Sequence, residues 1–288
     1  MPSGLVLLDK PQGFTSHDAV AKLRRILGTR KIGHAGTLDP MATGLLVLGV
    51  DAGTKLLQFL VGVDKQYLAT IRLGQSTSTD DAEGDVIATK IASGVLLADV
   101  LAEIKKLTGD ILQTPSQVSA IKVDGKRAYD LVREGMEVEL KARPVTVSKF
   151  EVIGEPRITG EFLDLDVLVD CSSGTYIRAL ARDLGVALGV GGHLTALRRT
   201  KVGQYDISGA SQIAENVEML DLGQAARALF PAVELDAKQE IDLIHGKRIQ
   251  ADGADRVCAF FEGRLVAVLD RAGSAYKSVV VFPKDSDG

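Results

Sequence analysis

A chain of 288 residues is long for one small domain and short for three, so one large domain with an appendix is expected. Hydrophobic residues make up 45% and charged residues 25%, and no apolar run approaches the ~20 residues of a membrane-crossing helix. The net charge of −4 argues mildly against a nucleic-acid partner, but its distribution argues the other way. Lys22, Arg24, Arg25, Arg30 and Lys31 follow one another with no acid among them, and Arg178, Arg182, Arg198, Arg199 and Lys201 are opposed only by Asp183. Acids cluster instead at Asp80, Asp81, Glu83 and Asp85 and from Glu215 through Asp242, so one basic face and one acidic face are expected. The start, Met1-Pro2-Ser3-Gly4, carries no basic region, which predicts no signal peptide. Cys171 and Cys258 make no metal-like spacing and read as reduced core thiols of a cytoplasmic protein.

In chain order, Leu5 to Leu8 reads as a buried strand. Thr15 or Ser16 caps a helix to about Leu27, stopped by Gly28. Leu45 to Val50 is apolar throughout, as a strand covered on both faces should be. Strands at Tyr67–Leu73 and Asp85–Thr89 flank a polar acidic turn. A helix over Ala98–Thr108 aligns Leu101, Ile104 and Leu107, with Gly109 ending it. The segment 113–144, decorated by Lys122, Lys126, Arg127 and Arg133, reads as an arm that projects from the body and touches a partner. Strands at Val145–Ile153 and Phe162–Cys171, a helix at Thr175–Leu188 and a last strand at Val202–Asp206 complete the body. Ser211 to Ala228 reads as a bridging helix. Beyond Pro231 come a short helix, Gln239–His245, and compact strands at Arg256–Phe261, Arg264–Asp270 and Lys277–Phe282. The interleaving of strands and helices predicts an α+β fold on a mixed, largely antiparallel sheet.

The most informative stretch is Lys31-Ile-Gly-His-Ala-Gly-Thr-Leu-Asp-Pro-Met-Ala-Thr-Gly44, which runs into the apolar strand. Gly33 and Gly36 allow a tight turn, and Pro40 biases Asp39 away from helical geometry. The result is one carboxylate on a stiff loop, although Asp-Pro beside Gly is also ordinary turn chemistry.

Gly33-His-Ala-Gly-Thr-Leu-Asp-Pro-Met-Ala-Thr-Gly44 resembles the signature of the TruB family of tRNA pseudouridine synthases. Leu8-Asp-Lys-Pro-Gln-Gly-Phe-Thr-Ser16, Asp64-Lys-Gln-Tyr67, Ser172-Ser-Gly-Thr-Tyr-Ile-Arg178 and Leu197-Arg-Arg-Thr200 are similar to further family segments in the same order. The resemblance implies a pseudouridine synthase catalytic domain over 1–230, with 113–144 as an RNA-clamping insertion. It also implies a small β-rich, PUA-like domain over 231–288. The implied reaction isomerises uridine 55 in the TΨC loop of tRNA, with no cofactor or metal. The short tail after Pro231 favours a stand-alone enzyme without guide RNA or obligate protein partner, and a cytoplasmic monomer is the default expectation. Asp39 matches the family's catalytic nucleophile, and Arg178 is its expected ion-pair partner through a guanidinium fork. Tyr67 is expected to stack on the flipped uracil and to assist proton removal from C5. Tyr176 and Leu197 are expected to line the same pocket, and His34 to contact the RNA near the vacated stack. Lys10 and Lys55 read as structural or phosphate contacts, and Lys122, Lys126 and Arg127 as RNA contacts of the arm. A guide-RNA-dependent relative, a non-catalytic RNA-binding module and a zinc-bearing transglycosylase stand as rival readings.

Overall fold

The computed structural model describes residues 3–116, 122–123, 126–127, 140–214, 217–282 and 284, with only the backbone at 122–123 and 126–127. Strands β1 (Gly4–Lys10), β2 (Ile32–Ala35), β3 (Thr43–Val50), β4 (Lys65–Leu73), β7 (Gly109–Gln113), β10 (Arg143–Val152), β12 (Phe162–Cys171) and β13 (Gly192–Val202) belong to one large sheet. It also takes in β11 (Arg157–Thr159), β14 (Tyr205–Asp206) and β15 (Leu220–Asp221). Its main path runs β15-β1-β3-β13-β4-β12-β10-β7. Every pairing in it is antiparallel except that of β13 with β3, where Arg198 faces Thr43 and Arg199 faces Gly44. The sheet is therefore mixed and largely antiparallel, and the fold is α+β, as expected.

The parallel seam requires a close approach. Gly44 has φ +98°, and a Cβ there would meet the Arg199 carbonyl oxygen at 2.3 Å. Only glycine fits, and its fit brings the Asp39 loop beside β13.

Strand β4 alternates strictly, with Lys65, Tyr67, Ala69, Ile71 and Leu73 on one buried face. Helix α3 (Ile177–Ala187) covers that face with Ile177, Leu180, Ala181 and Leu184. Helix α1 (Ser16–Leu27) begins at a capping box between Thr15 and Asp18 and ends at Gly28 in the left-handed conformation. Helix α2 (Leu97–Lys106) is shorter than predicted. It buries Val100 and Ile104 and leaves Leu101 exposed, and Gly109 opens β7 instead of ending the helix. Strands β5 (Gln75–Thr77) and β6 (Val86–Thr89) form a hairpin across the acidic turn, and β8 (Lys122–Val123) pairs with β9 (Lys126–Arg127).

Two expectations fail. The stretch 192–202 is a long central strand, with the predicted Val202–Asp206 strand reduced to its end and a two-residue return strand. The expected bridge from Ser211 collapses to one helix, α4 (Leu222–Leu229), because Asp221 caps it by accepting from the Gln224 N–H.

The tail builds a second sheet, β16 (Ala232–Glu234), β17 (Arg256–Phe261), β18 (Arg264–Ala272) and β19 (Ala275–Val281), flanked by α5 (Ala237–Ile244). Its inner residues Cys258, Phe260, Leu265, Val268 and Phe282 share one apolar core with Leu5, Leu7, Leu45, Val47, Leu56 and Leu60 of the body. The opposite face of β1 and β3 packs into the main core, so Leu45 to Val50 is covered on both sides.

Candidate active site

The loop that carries Asp39 is held from two directions. Ser16, the first residue of α1, is buried; its Oγ accepts from the Leu38 N–H at 2.9 Å and donates to the Leu38 carbonyl at 3.2 Å. On the other side Arg199, 1% exposed, donates to the carbonyls of Gly36, Thr37 and Leu45. Lys10 closes the bundle beneath: its Nζ donates to the carbonyls of Pro11, Phe14 and Pro40. The phosphate reading of Lys10 is thus corrected. Its side chain is fully buried with the ammonium turned onto carbonyls, and burial lowers its pKa to about 8. Lys55 is likewise structural, donating to the Val281 carbonyl beside the Phe282 ring.

Against this rigid loop stands Arg178, 4% exposed, on the first turn of α3. Its Nε lies 3.0 Å from Asp39 Oδ2, while Nη1 lies 3.4 Å from Asp81 Oδ2 and donates to the Thr79 carbonyl at 2.7 Å. The guanidinium therefore spans two carboxylates, one open to the cleft and one buried. Asp81 is itself fixed by the Thr79 hydroxyl and the Glu83 N–H. Its neighbour Asp80, at φ +59°, pairs with Arg182 at 3.1 Å. Two adjacent acids thus neutralise two arginines one helical turn apart, a charge balance supplied by the protein itself.

Asp39, Arg178, Tyr67, Tyr176 and Leu197 all line one cleft of about 280 Å³, together with Lys65, Arg199 and the loop Ser172–Thr175. Tyr67 is buried in the wall of this cleft. Desolvation raises its phenol pKa, and the adjacent Arg199 opposes that rise. Lys65, two residues along the same strand, directs Nζ at the carbonyls of Val61 and Val63, and burial lowers its pKa to about 8.

His34 is not part of this lining. It stands on β2, edge-on to His17 at 5.8 Å. Its Nδ1 is buried with no hydrogen-bond partner among the described residues, and burial lowers its pKa. Lys122, Lys126 and Arg127 lie on the β8–β9 hairpin, but their side chains, and Arg133 entirely, fall outside the described residues. Two cleft-lining groups, and one buried carboxylate paired with Arg178, were not singled out as site residues in the sequence. Lys65 follows the strand period of two back from Tyr67, just ahead of the predicted strand, whereas Arg199 lies on a strand that the sequence does not announce. Asp81 carried no signal beyond an acidic turn. Among the described residues no group of His, Cys, Asp and Glu side chains is arranged to hold a metal ion. No helix among them is long and apolar enough to cross a membrane.

A fixed carboxylate, gripped by a buried arginine and facing an aromatic slot on a mixed sheet, has the architecture of a pseudouridine synthase. The pattern for "TruB family pseudouridylate synthase (N terminal domain)" matches residues 24–177. Those for the "tRNA pseudouridylate synthase B C-terminal domain" and "tRNA Pseudouridine synthase II, C terminal" match 178–231 and 230–283. The chain belongs to the TruB family. It is 54% identical over 302 residues to the tRNA pseudouridine synthase B of Arthrobacter sp. (strain FB24), covering 100% of this chain and 99% of that one. It is 55% identical over 284 residues to the protein of the same name from Corynebacterium glutamicum (strain ATCC 13032), covering 96% and 95%. A solved structure, "Crystal Structure of a Cbf5-Nop10-Gar1 Complex", contains a similar chain, with TM-score 0.71 and 26% identity over 98% of this chain and 86% of that one.

Proposed function

We propose that this protein isomerises uridine 55 in the TΨC loop of tRNA to pseudouridine, with Asp39 as nucleophile. The observation that carries the reading is the Asp39–Arg178 pair at 3.0 Å, set in the wall of a cleft that also holds Tyr67. The reaction conserves composition: the C1′–N1 bond breaks, a C1′–C5 bond forms, C5 loses a proton and N1 gains one. It needs a carboxylate that stays in place while the base turns, and walls that retain the detached uracil.

The residues divide that work. A uridine inside a folded loop reaches Asp39 only when it is flipped out, and apolar and aromatic walls replace its lost stacking. Tyr67 and Leu197 supply those walls, with Tyr176 at the rim. Arg178 holds the Asp39 carboxylate in one orientation, so its attack is not spent on rotamer search. The Tyr67 hydroxyl assists loss of the C5 proton as a neutral relay, its oxygen taking that proton as its own O–H proton passes to solvent, since burial disfavours a phenolate. His34 contacts the RNA beside the flipped position.

Residues 1–230 carry the chemistry. The segment 113–144, with Lys122, Lys126 and Arg127, clamps the RNA, and the tail 231–288 adds grip on the tRNA. The enzyme acts in the cytoplasm as a monomer, without guide RNA or protein partner, in keeping with full-length identity above 50% to relatives named for tRNA. The test is to incubate the purified chain alone with unmodified tRNA and map pseudouridine by position. Conversion at uridine 55 is expected. No pseudouridine, or pseudouridine only at another position, overturns the reading.

A further inference from the structure

Gln113 is the last residue of β7, and it is 2% exposed although it carries a carboxamide. A buried amide needs partners, and both of its polar atoms find them on one residue. The Tyr176 N–H donates to Gln113 Oε1 at 2.8 Å, and Gln113 Nε2 donates to the Tyr176 carbonyl at 3.1 Å. The side chain thus pairs with the Tyr176 backbone as a neighbouring strand would. Tyr176 is the N-cap residue of α3, with φ −101° and ψ 108°, and its own side chain supplies no cap hydrogen bond. Its N–H is one that no helical turn can satisfy, and its carbonyl also accepts the Leu180 N–H at 3.2 Å. The backbone of Gln113 is meanwhile fixed opposite Arg143 in the β7–β10 ladder.

We propose that Gln113 is a positioning residue of the uridine site. Its carboxamide sets the backbone of Tyr176, and through it the tyrosine at the cleft rim and the helical turn that presents Arg178 to Asp39. The inference rests on the reading of the cleft as the uridine site and adds a residue that does not line it. A second contact ties the same corner together: the Thr114 carbonyl accepts from Arg182 Nη2 at 2.7 Å. The root of the 113–144 segment is therefore bonded to α3 at two points, one on each side of Arg178.

The test exploits the one side chain that imitates Gln113 in a single protonation state. In Gln113→Glu a neutral carboxyl accepts from the Tyr176 N–H and donates its O–H to the Tyr176 carbonyl. The ionised carboxylate only accepts, and it faces a carbonyl oxygen. Burial favours the neutral form, so both hydrogen bonds are present below the raised pKa of this carboxyl, while above it the bond to the Tyr176 carbonyl is lost and replaced by oxygen–oxygen repulsion. The experiment measures kcat, KM, tRNA binding and Tm against pH for wild type, Gln113→Glu and Gln113→Met, all below the lowest Tm. Expected for Gln113→Glu is near-wild-type kcat at acid pH, then a one-proton decline with rising pH that the wild type lacks. Expected for Gln113→Met is a kcat about 10²-fold lower at every pH, with tRNA binding retained, since small misplacements of reacting groups cost rates of that order. A Gln113→Met chain that fails to fold leaves the decision with Gln113→Glu, whose shape is conserved. A Gln113→Glu profile parallel to the wild type overturns the proposal, as does an unchanged kcat in a folded Gln113→Met. A wild-type chain that forms no pseudouridine overturns the underlying reading, and the proposal with it.

Discussion

The molecule holds two acid–arginine clusters of similar chemistry in opposite surroundings. Beside the cleft, Arg178 and Asp81 are each 4% exposed and Asp39 is 38% exposed. On the tail sheet, Arg256 and Asp270 pair through two bonds of 2.6 and 2.8 Å, yet both are about 40% exposed. The better hydrogen-bond geometry lies on the wet pair. Exposed pairs of this kind contribute about 0–1 kcal/mol, because water competes for both partners. The dry cluster is costly to assemble, since two charges leave water, and removing one partner costs about 3–5 kcal/mol. A protein optimised for stability alone gains little from such a cluster. Its place beside a cleft fits the role proposed for Asp39, because a carboxylate nucleophile needs a charge fixed in direction.

The comparison breaks most visibly at Asp39. Asp39→Asn is nearly isosteric, keeps the loop, and replaces the proposed nucleophile with a neutral amide. Pseudouridine yield should fall below detection, while affinity for unmodified tRNA stays within roughly tenfold, about 1.4 kcal/mol. Arg178→Lys should retain partial activity at most, because a point charge cannot span Asp39 and Asp81 as a planar fork does. Substantial yield from Asp39→Asn, measured beside tRNA binding, would return Asp39 to the status of a turn residue.

Two buried tyrosines extend the same contrast. Tyr276 in the tail donates its hydroxyl to the Ala254 carbonyl at 2.6 Å, a purely internal bond. Tyr67 lines the same cleft as Asp39. Tyr67→Phe should lower the rate by about 10²–10⁴-fold, the range of general acid–base contributions, and leave tRNA binding intact. Tyr276→Phe should leave the rate unchanged. Equal rates for Tyr67→Phe and wild type, with Tyr67→Leu inactive, would reduce Tyr67 to a stacking surface.

Asp81 sharpens the energetic side. Asp81→Asn removes a buried anion from Arg178 but spares Asp39 and the Thr79 carbonyl. The loss should sit near the lower end of the buried-pair range, about 3 kcal/mol, and appear as a fall in Tm or denaturation midpoint. A Tm equal to wild type would show that the cluster is not dry in solution.

Much of this cleft was legible in the sequence, for identifiable reasons. The Gly-rich turn put Asp39 on a stiff loop, and resemblance supplied its role and that of Tyr67. It also supplied Arg178, Tyr176 and Leu197. Strand β13 was not legible, because its inward face carries a fully buried arginine, Arg199, where an apolar residue would signal a strand. Its donations to Gly36, Thr37 and Leu45 explain how that charge is tolerated there. Asp81 was hidden by distance, since the turn that presents it meets α3 across 99 residues of chain, from Thr79 to Arg178. For Lys10 the sequence left a structural and a phosphate contact both open, because composition does not report which way a lysine turns. The overlong bridge after Ser211 missed a cap that was visible, Asp221.

The smallest effect belongs to the wet pair and calibrates the others. Arg256 also packs over the rings of Phe59 and Phe230, so removing the arginine would disturb more than a charge. Asp270→Asn is the cleaner change. The Arg256 hydrogen bond holds the Asp270 carboxyl below the usual carboxylate pKa. A depressed pKa means stability that is fully present above the unfolded-state value and lost as pH falls through the folded-state value. The wild-type advantage over Asp270→Asn should therefore be constant at neutral pH and shrink below about pH 4. Solvent screening limits that advantage to about 0–1 kcal/mol, or about 2–4 °C in Tm at most. Pseudouridine yield should not change. Thermal melts of Asp81→Asn and Asp270→Asn in the same buffers decide the matter: equal losses would mean that burial does not separate the two clusters, and the argument from dryness to function would fail with it.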